Sequence, residues 1–293
     1  MENAKLGIHS LVFTDDWNET NARAACRSAA EIGYDIIEVL IFDPDTLDIP
    51  MTGKVVSDAG LALRLGMALV PEADISSTDP DIASHGEATV TRCLEIASEL
   101  GAPAVSGITY AAFNNYANPQ TDTQRDQVLA SYARLDKRAG ELGVQLGIEP
   151  VNRYESYLVN TLDQAGDIIR ETDAKNLFVH MDTFHMNIEE ADIAGAIARN
   201  ADLLGYVHLA DNHRGRLGAG TYDFVTLFRT LARAGYTGDF TVESFSQSVL
   251  GPDLVGALGL WRNAWSNAEN TAVEALNFMR ISVAAACGAE AAR

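Results

Sequence analysis

NLFVHMDTFHMNIEE, residues 176–190, joins a buried strand to the polar residues that follow it. The run from Leu177 to Val179 is apolar without alternation, which is typical of a strand covered on both faces. Asp182 and His185 follow at the point where that strand should end. Asn187 precedes Ile-Glu-Glu and is the predicted N-cap of the next helix, because acidic residues favour a first helical turn. An unpaired buried Asp or His is costly, so this strand end indicates either a hydrogen-bonded loop or a metal or substrate site.

One pattern recurs along the rest of the chain. A predicted helix ends, a glycine follows, and a short apolar strand begins. Glycine is favoured directly after a helix because it adopts the left-handed conformation that ends the helix. The instances are EIGYDIIEVL (31–40), DAGLALRLGM (58–67), ELGAPAVSGI (99–108), ELGVQLGIEP (141–150) and RAGYTGDFTVES (233–244). Segments 171–182 and 199–210 keep this order without the glycine. With the opening KLGIHS, the chain is predicted to contain eight strands.

Helical patterns separate these strands. They lie near residues 18–30, 52–59, 81–100, 122–142, 162–172, 189–199 and 223–234, and a longer one at 253–282 is interrupted by Gly256 and Gly259. Thr161 and Gln164 form a predicted capping box before one of them. Eight strand–helix units in 293 residues match a single α/β (β/α)8 TIM barrel, whose usual size is about 250 residues. A doubly wound open sheet is the alternative, but no GxGxxG turn follows the first strand.

The overall composition narrows the class of protein. No composition break divides the chain, so we expect one domain over residues 1–293 with a C-terminal helical extension from about 253 to 293. The formal net charge of −20 opposes binding to nucleic acid or to an anionic membrane. We see neither a signal-peptide pattern nor a membrane-length apolar run, and we therefore expect a cytoplasmic protein. The dispersed Cys26, Cys93 and Cys287 agree with a reducing compartment.

Polar residues follow the last four predicted strands. Glu149, Asp182, His208 and Glu243 are separated by spacings close to one barrel unit, about 31 residues. Each residue alone is compatible with capping a loop, but together they are expected at one rim of the barrel. Three converging carboxylates repel one another unless a divalent ion neutralises them. Carboxylate oxygens with one imidazole and no thiolate suit Mn(II), Mg(II) or Co(II).

Residues one step beyond these strand ends are candidates for substrate binding. Glu155, His185 and Arg214 carry groups that hydrogen-bond hydroxyl and carbonyl oxygens. The glycine-rich RGRLGAG after strand seven (214–220) could also cradle a phosphate, which we keep as a minor alternative. The loop at 109–120 carries Tyr110, Phe113 and Tyr116, which suit the apolar face of a sugar, a subunit contact or simple loop packing.

Four segments resemble one known family. They are IEPVNRYES (148–156), HMDTFHMNIEE (180–190), HLADNHRGRLGAG (208–220) and VESF (242–245). They resemble the ketose 3-epimerases, which include the D-tagatose, D-allulose and L-ribulose 3-epimerases, within the xylose-isomerase-like TIM barrels. The resemblance in organisation covers essentially the whole chain. The L-ribulose 3-epimerase branch is the most similar, because of GIHS near the start, HRG after strand seven and ESFS after strand eight.

The resemblance implies a metal site and two proton-transfer groups. A divalent ion, usually manganese or cobalt, would be held by Glu149, Asp182, His208 and Glu243. Mn(II) is therefore the expected cofactor, with Co(II) or Mg(II) as alternatives. Glu149 and Glu243 would also exchange protons with the substrate.

The resemblance also implies how the substrate is held and how the chain assembles. Glu155, His185 and Arg214 would position the oxygens of a ketose. A homodimer or homotetramer is expected, to which the aromatic loop would contribute. Many D-tagatose-type members carry Glu-Ala-Asn-Arg where this chain has Asp-Asn-His-Arg (211–214), so the preferred ketose stays open.

Epimerisation at C3 requires that a proton next to the C2 carbonyl be removed and one be returned to the opposite face. The intermediate is a cis-enediolate, whose charge a divalent ion stabilises. Glu149 and Glu243 come from strands on either side of Asp182 and His208, so they can flank the sugar. We predict 3-epimerisation of a free ketose of the L-ribulose, D-tagatose or D-allulose type.

Three other functions are alternatives to 3-epimerisation. An aldose–ketose isomerase acting on a sugar or sugar phosphate is the main alternative, because the same metal and glutamates would serve it. A metal-dependent endonuclease of related fold is disfavoured by the net charge of −20. A non-catalytic sugar-binding protein would not need two flanking glutamates.

Overall fold

The computed structural model describes residues 1–116 and 118–291, and its strands form a closed parallel barrel in chain order. The strands are β1 (Leu6–His9), β2 (Ile36–Ile41), β3 (Ala62–Leu69), β4 (Ala104–Ala112), β5 (Gln145–Ile148), β6 (Leu177–Asp182), β7 (Leu204–Leu209) and β8 (Asp239–Val242). Each strand pairs with its neighbours in sequence, and β8 pairs with β1. The predicted (β/α)8 TIM barrel is therefore confirmed.

Helices surround the barrel. They are α1 (Glu19–Ile32), α2 (Ile49–Asp58), α3 (Pro80–Leu100), α4 (Asp122–Leu142), α5 (Leu162–Glu171), α6 (Thr183–Glu189), α7 (Ile193–Arg199), α8 (Phe224–Arg233), α9 (Pro252–Ala257) and α10 (Ala268–Ala291). Within the described part of the chain, α1 to α5, α7, α8 and α10 contact one another in a ring. The short α6 instead follows β6 directly, and the short α9 follows β8 after residues 243–251. They belong to the loops at the carboxyl ends of the strands.

The predicted helix ends depend on local capping. Gly33, Gly101 and Gly143 follow α1, α3 and α4 with φ of 100°, 67° and 67°, the left-handed conformation that glycine adopts without strain. The capping box of Thr161 and Gln164 also forms at the start of α5. These short-range signals placed most of the helix boundaries correctly.

The helix start predicted at Asn187 is wrong. Asn187 lies inside α6, which begins at Thr183 because the carboxylate of Asp182 accepts a hydrogen bond from the backbone N–H of Phe184. The next helix, α7, begins after Asp192, whose side chain accepts from the N–H of Gly195. Two aspartates therefore cap two short helices where the sequence pattern indicated one.

The prediction for the C-terminal region also needs correction. The pattern at 253–282 indicated one interrupted helical region, but residues 258–267 are not helical and α10 continues to Ala291. Contacts with α8 and α1 place α10 in the outer ring, and the Tyr34 hydroxyl donates to the carbonyl of Ala272 at 2.7 Å. By length and composition alone, Ala268–Glu290 could also cross a membrane, which the sequence analysis overlooked. The predicted C-terminal extension therefore contains α10, which is a helix of the outer ring of the barrel.

Candidate active site

Four strand ends bring the predicted metal ligands together. Glu149 follows β5, Asp182 ends β6, His208 lies in β7 and Glu243 follows β8. Asp182 and His208 are direct neighbours in the strand register. Nδ1 of His208 lies 3.9 Å from the carboxylate of Glu149 and 3.7 Å from that of Glu243. All four side chains are buried, so the register expected from their spacing does place them in one cluster.

Several polar atoms in this cluster have no hydrogen-bond partner. They are Oδ2 of Asp182, Nδ1 of His208 and Oε2 of Glu243. Buried polar atoms are rarely left unpaired, so such atoms need an explanation. Ligand atoms of Asp182, His208 and Glu243 lie within 4.8 Å of one another, as they would around a single ion. The donor set of carboxylate oxygens and one imidazole nitrogen fits Mn(II), Co(II) or Mg(II).

The crowded carboxylates perturb each other strongly. Burial raises the pKa of Glu149 well above its usual value, and the charges of Asp182 and Glu243 raise it further. Burial also raises the pKa of Glu243 to about 7, although Arg214 and His208 oppose the shift. Without a cation, the cluster therefore retains protons that ordinary carboxylates would have lost at neutral pH.

His208 is held from behind by a residue that the sequence analysis did not single out. Its Nε2 lies 2.8 Å from Oε2 of Glu38, which comes from β2. Burial lowers the pKa of His208, but the adjacent Glu38 carboxylate outweighs it and raises the pKa to about 10. A lone Glu within the apolar strand IIEVLI (36–41) was the available signal. Such a carboxylate needs a buried partner.

The predicted substrate-binding residues surround the same space. Nη1 of Arg214 lies 3.5 Å from Oε2 of Glu243, and its Nη2 lies 3.9 Å from Oε1 of Glu155. The Arg214 guanidinium packs over the ring of Phe184, with 4.2 Å between its central carbon and the ring centroid. Its φ of 52° is unusual for a residue with a side chain. The backbone is therefore strained at the position that aims this guanidinium into the site.

His185 is held through both of its ring nitrogens. The backbone N–H of Asn152 donates to Nδ1 of His185 at 3.0 Å. Burial and the charge of Arg214 hold the pKa of His185 well below its usual value, which keeps the ring neutral. Nε2 lies 2.7 Å from Nη2 of Arg214. Nε2 of His185 and Nη2 of Arg214 are therefore adjacent at the cavity, where a substrate oxygen could contact both.

A cavity of about 230 Å³ opens next to these residues. Its polar wall comes from the β5 to β8 side and includes Glu149, Glu155, His185, Arg214 and Glu243. The opposite wall is mostly apolar and includes Leu11, Leu40, Phe42, Met67, Val70 and Phe113. Leu254, Ala257 and Leu258 border the cavity from α9 and the residue after it. The arrangement suits a small molecule with one polar and one less polar end.

His9 and His180 also belong to this region. His9 lines the cavity and its Nδ1 accepts from the N–H of Leu11 at 3.2 Å, so its Nε2 carries the ring proton. His180 faces the barrel interior as expected, with Nδ1 3.7 Å from Oε2 of Glu149 and both ring nitrogens unpartnered. His9 is thus a polar exception on the apolar side of the cavity.

The glycine-rich loop after β7 is occupied by an internal contact. Oδ2 of Asp211 accepts from the N–H groups of Gly218 and Gly220 at 2.9 and 3.0 Å. These two donors are therefore not free to bind a phosphate. Arg216 pairs with Glu274 at 2.7 Å, as expected for a surface arginine.

The aromatic residues predicted in the rim loop separate into different environments. Tyr110 lies within β4 and is fully buried, and its hydroxyl is 3.0 Å from the carbonyl oxygen of Glu149. Phe113 lines the cavity. Tyr116 is exposed, and its hydroxyl donates to the carbonyl of Tyr154. The prediction of a rim position is therefore wrong for Tyr110, which supports the backbone of Glu149.

Comparisons with known proteins agree with this geometry. Residues 26–281 match the model of the xylose isomerase-like TIM barrel family. The chain is 38% identical over 276 residues to a ketose 3-epimerase of Arthrobacter globiformis, covering 94% of this chain and 96% of the relative. It is 35% identical over 274 residues to an L-ribulose 3-epimerase of Methylomonas sp., covering 94% and 96%. The crystal structure of a D-allulose 3-epimerase from Methylomonas sp. in complex with D-allulose superposes with a TM-score of 0.92, at 35% identity and 95% and 97% coverage.

Proposed function

This chain belongs to the ketose 3-epimerases of the xylose isomerase-like TIM barrel family and is a carbohydrate isomerase, and from this premise we propose a metal-dependent epimerisation of a free ketose at C3. The family expected from the sequence motifs is thereby confirmed. The observation that carries the proposal is the buried cluster in which Glu149 and Glu243 lie on either side of Asp182 and His208. D-allulose and L-ribulose, named for its relatives, are the first substrates to test.

The proposed metal ligands are Glu149, Asp182, His208 and Glu243. The unpartnered buried atoms of Asp182, His208 and Glu243 support this assignment, as do the oxygen and nitrogen donors of the four residues. Mn(II) is the proposed ion, with Co(II) and Mg(II) as alternatives. When bound, a divalent ion supplies positive charge that stabilises a developing enediolate.

Glu149 and Glu243 are the proposed proton-transfer groups. The C2 carbonyl acidifies the proton on C3, and one glutamate removes it to give a cis-enediolate. The other glutamate then donates a proton to the opposite face of C3, which inverts the configuration. Each glutamate takes the opposite role when the other epimer is the substrate. The positions of the two glutamates directly after β5 and β8, with β6 and β7 between these strands, support this division.

Three further residues are proposed to hold the ketose. Nε2 of His185 and the guanidinium of Arg214 lie next to each other at the cavity, so they suit contact with a shared substrate oxygen. The carboxylate of Glu155, which accepts from the side chain of Asn152 at 3.0 Å, is oriented to accept from a substrate hydroxyl.

The unphosphorylated form of the sugar is the proposed substrate. In the glycine-rich loop after β7, the backbone N–H groups of Gly218 and Gly220 already donate to Asp211 and are not free for a phosphate. The wall of the cavity on the β1 to β4 side is mostly apolar. The charge of a phosphate group on the sugar would therefore have few polar partners there. The proposed domain over residues 1–293, the cytoplasmic location and the homo-oligomer remain expectations from the sequence.

The test is a panel of ketoses assayed in deuterated buffer after chelation and reloading with Mn(II). Proton NMR of the product should show deuterium at C3 and interconversion of C3 epimers. Deuterium at C1 or C2, with formation of an aldose, would replace the proposal with an aldose–ketose isomerase. Full activity in exhaustively chelated enzyme would refute metal dependence.

A further inference from the structure

Glu38 is an unusual residue for the inside of a barrel. It lies in β2 and is 1% exposed, among the apolar residues Ile36, Ile37, Val39 and Leu40. Barrel interiors are normally filled by branched apolar side chains. A buried carboxylate without partners would strongly destabilise the fold, so its neighbours must compensate its charge.

The partners of Glu38 lie across the barrel on β7. Oε2 of Glu38 accepts from the hydroxyl of Tyr206 at 2.6 Å and lies 2.8 Å from Nε2 of His208. The Tyr206 hydroxyl also contacts Oγ1 of Thr241 on β8. A single carboxylate oxygen, Oε2 of Glu38, therefore contacts both the Tyr206 hydroxyl and Nε2 of His208.

The two ring nitrogens of His208 face different groups. Nε2 faces Glu38, whereas Nδ1 faces the carboxylates of Glu149 and Glu243 at 3.9 and 3.7 Å and has no hydrogen-bond partner. A carboxylate on one imidazole nitrogen restricts the ring orientation, leaves the other nitrogen for a metal and strengthens it as a ligand. Glu38 does not line the cavity, so it acts on the site through His208.

We propose that Glu38 is the positioning residue of the metal centre, holding His208 through Nε2 so that Nδ1 is the ligand atom. This inference rests on the metal-dependent function proposed above. Glu38 does not line the substrate cavity and contacts the proposed metal ligands through His208. Its effect is therefore expected first in metal affinity and only through that in turnover.

The main variant is Glu38→Gln, which keeps the size of the side chain and removes its charge. Placed at the position of Oε2, the amide oxygen can still accept from Nε2–H of His208 and from the hydroxyl of Tyr206. We expect the Kd for Mn(II), measured by calorimetry on chelated enzyme, to rise by about 10- to 100-fold. Activity should recover in large part at saturating Mn(II).

The matched control is Tyr206→Phe, which removes the other hydrogen bond of the same carboxylate oxygen. This variant should lower the Tm of the metal-free enzyme, because it leaves a polar site partly unsatisfied. Its Kd for Mn(II) should stay close to the wild-type value. A larger loss of Mn(II) affinity in Tyr206→Phe than in Glu38→Gln would overturn the proposal, because it would indicate general packing around the barrel interior.

The remaining outcomes separate this inference from the proposed function. Equal Mn(II) affinity in wild type and Glu38→Gln overturns the role of Glu38 alone, whereas a wild-type protein that binds no divalent ion overturns the metal site as well. If Glu38→Gln does not fold, NMR of the wild-type protein still tests which nitrogen of His208 is the ligand atom. In the Zn(II)-loaded protein with ¹⁵N-labelled histidine, NMR should show His208 protonated at Nε2 and coordinated through Nδ1. Coordination through Nε2 would refute the proposal.

Discussion

At the scale of single residues, the site separates proton-transfer groups from groups that orient them. Glu149 and Glu243 face the cavity directly. Tyr110 contacts the carbonyl of Glu149 from behind, and Glu38 contacts His208. Glu149 and His208 are thus each contacted by a buried polar residue that does not line the cavity. Residues that bind substrate or metal and residues that support them should respond differently to substitution.

Replacing either proton-transfer glutamate should abolish most epimerisation. In Glu149→Gln and Glu243→Gln the amide keeps an oxygen for the metal but cannot accept the C3 proton. We expect kcat to fall by about 10²- to 10⁴-fold in each variant. Turnover of both epimers of one ketose is the measurement, and elemental analysis must show that metal is retained.

The same two variants should differ in isotope exchange. Each retains one glutamate, which can still exchange the C3 proton on its own face with solvent. One variant should therefore wash label out of one epimer, and the other variant out of the second epimer. A metal-loaded variant that epimerises at nearly the wild-type rate would show that another residue carries the proton on that face.

The buried cysteines provide an independent test of the core. Burial raises the pKa of Cys26 and of Cys93 to about 12. Because the thiolate is the reactive form, almost none of either thiol is ionised at pH 8. In the native protein at pH 8, a thiol reagent should therefore label the partly exposed Cys287 alone, whereas all three should react in denaturant. Rapid native labelling of Cys93 would contradict the packing of α3.

At the scale of secondary-structure elements, hydrogen bonds from backbone N–H groups to aspartates shape the segments that follow β6 and β7. Asp182 ends β6 and caps α6 through the N–H of Phe184, so its other oxygen, Oδ2, remains free. Asp211 similarly binds the N–H groups of Gly218 and Gly220 after β7. The carboxyl ends of β6 and β7 are therefore shaped by aspartates that bind backbone N–H groups.

The contribution of the α5 capping box to stability can be tested without changing a residue of the candidate active site. Thr161→Ala removes the hydroxyl that accepts from the N–H of Gln164, which should destabilise the fold by about 1 kcal/mol. For a chain of this size we expect the Tm to fall by roughly 1–3 °C. Thr161→Ser keeps the hydroxyl and is the matched control. Equal Tm values for the alanine and serine variants would show that the cap contributes nothing measurable.

At the scale of the whole molecule, the barrel collects acidic residues from four strands into one buried cluster. This arrangement is unfavourable without a cation, because burial and mutual repulsion raise the pKa values of Glu149 and Glu243. A ligand that binds only the folded state stabilises it by mass action. Metal content and global stability are therefore expected to be linked.

Removing the metal should lower the stability of the entire barrel. At a free metal concentration 100 times its Kd, binding would contribute about 2.7 kcal/mol. We expect a lower Tm by calorimetry after exhaustive chelation, and recovery on adding Mn(II). The Asp182→Asn variant, which weakens the metal site, should lose most of this metal-dependent difference. An unchanged Tm in chelated, metal-free wild type would argue against the site.

Assembly is the second prediction at this scale. The family and the aromatic loop after β4 led us to expect a homodimer or homotetramer with a symmetric interface. Light scattering at micromolar concentration should give a mass of two or four chains. A mass of one chain under these conditions would refute this expectation.

The repeated helix-end and strand pattern was sufficient to identify the barrel. Local signals also placed Gly33 and Thr161 correctly at helix ends. The convergence of Glu149 and Glu243 could be predicted because parallel strands in a barrel share one carboxyl-end rim. These features depend on short-range sequence and on the repetition of one unit.

Contacts across the barrel depended on the closed tertiary structure. The sequence offered no local reason to pair Glu38 with His208, since they lie on β2 and β7. The true start of α6 was likewise missed, because Asn187 followed by acidic residues resembles a cap as closely as Asp182 does. Strand alternation determines which residues point inwards, but the closure and packing of the barrel determine which of them meet.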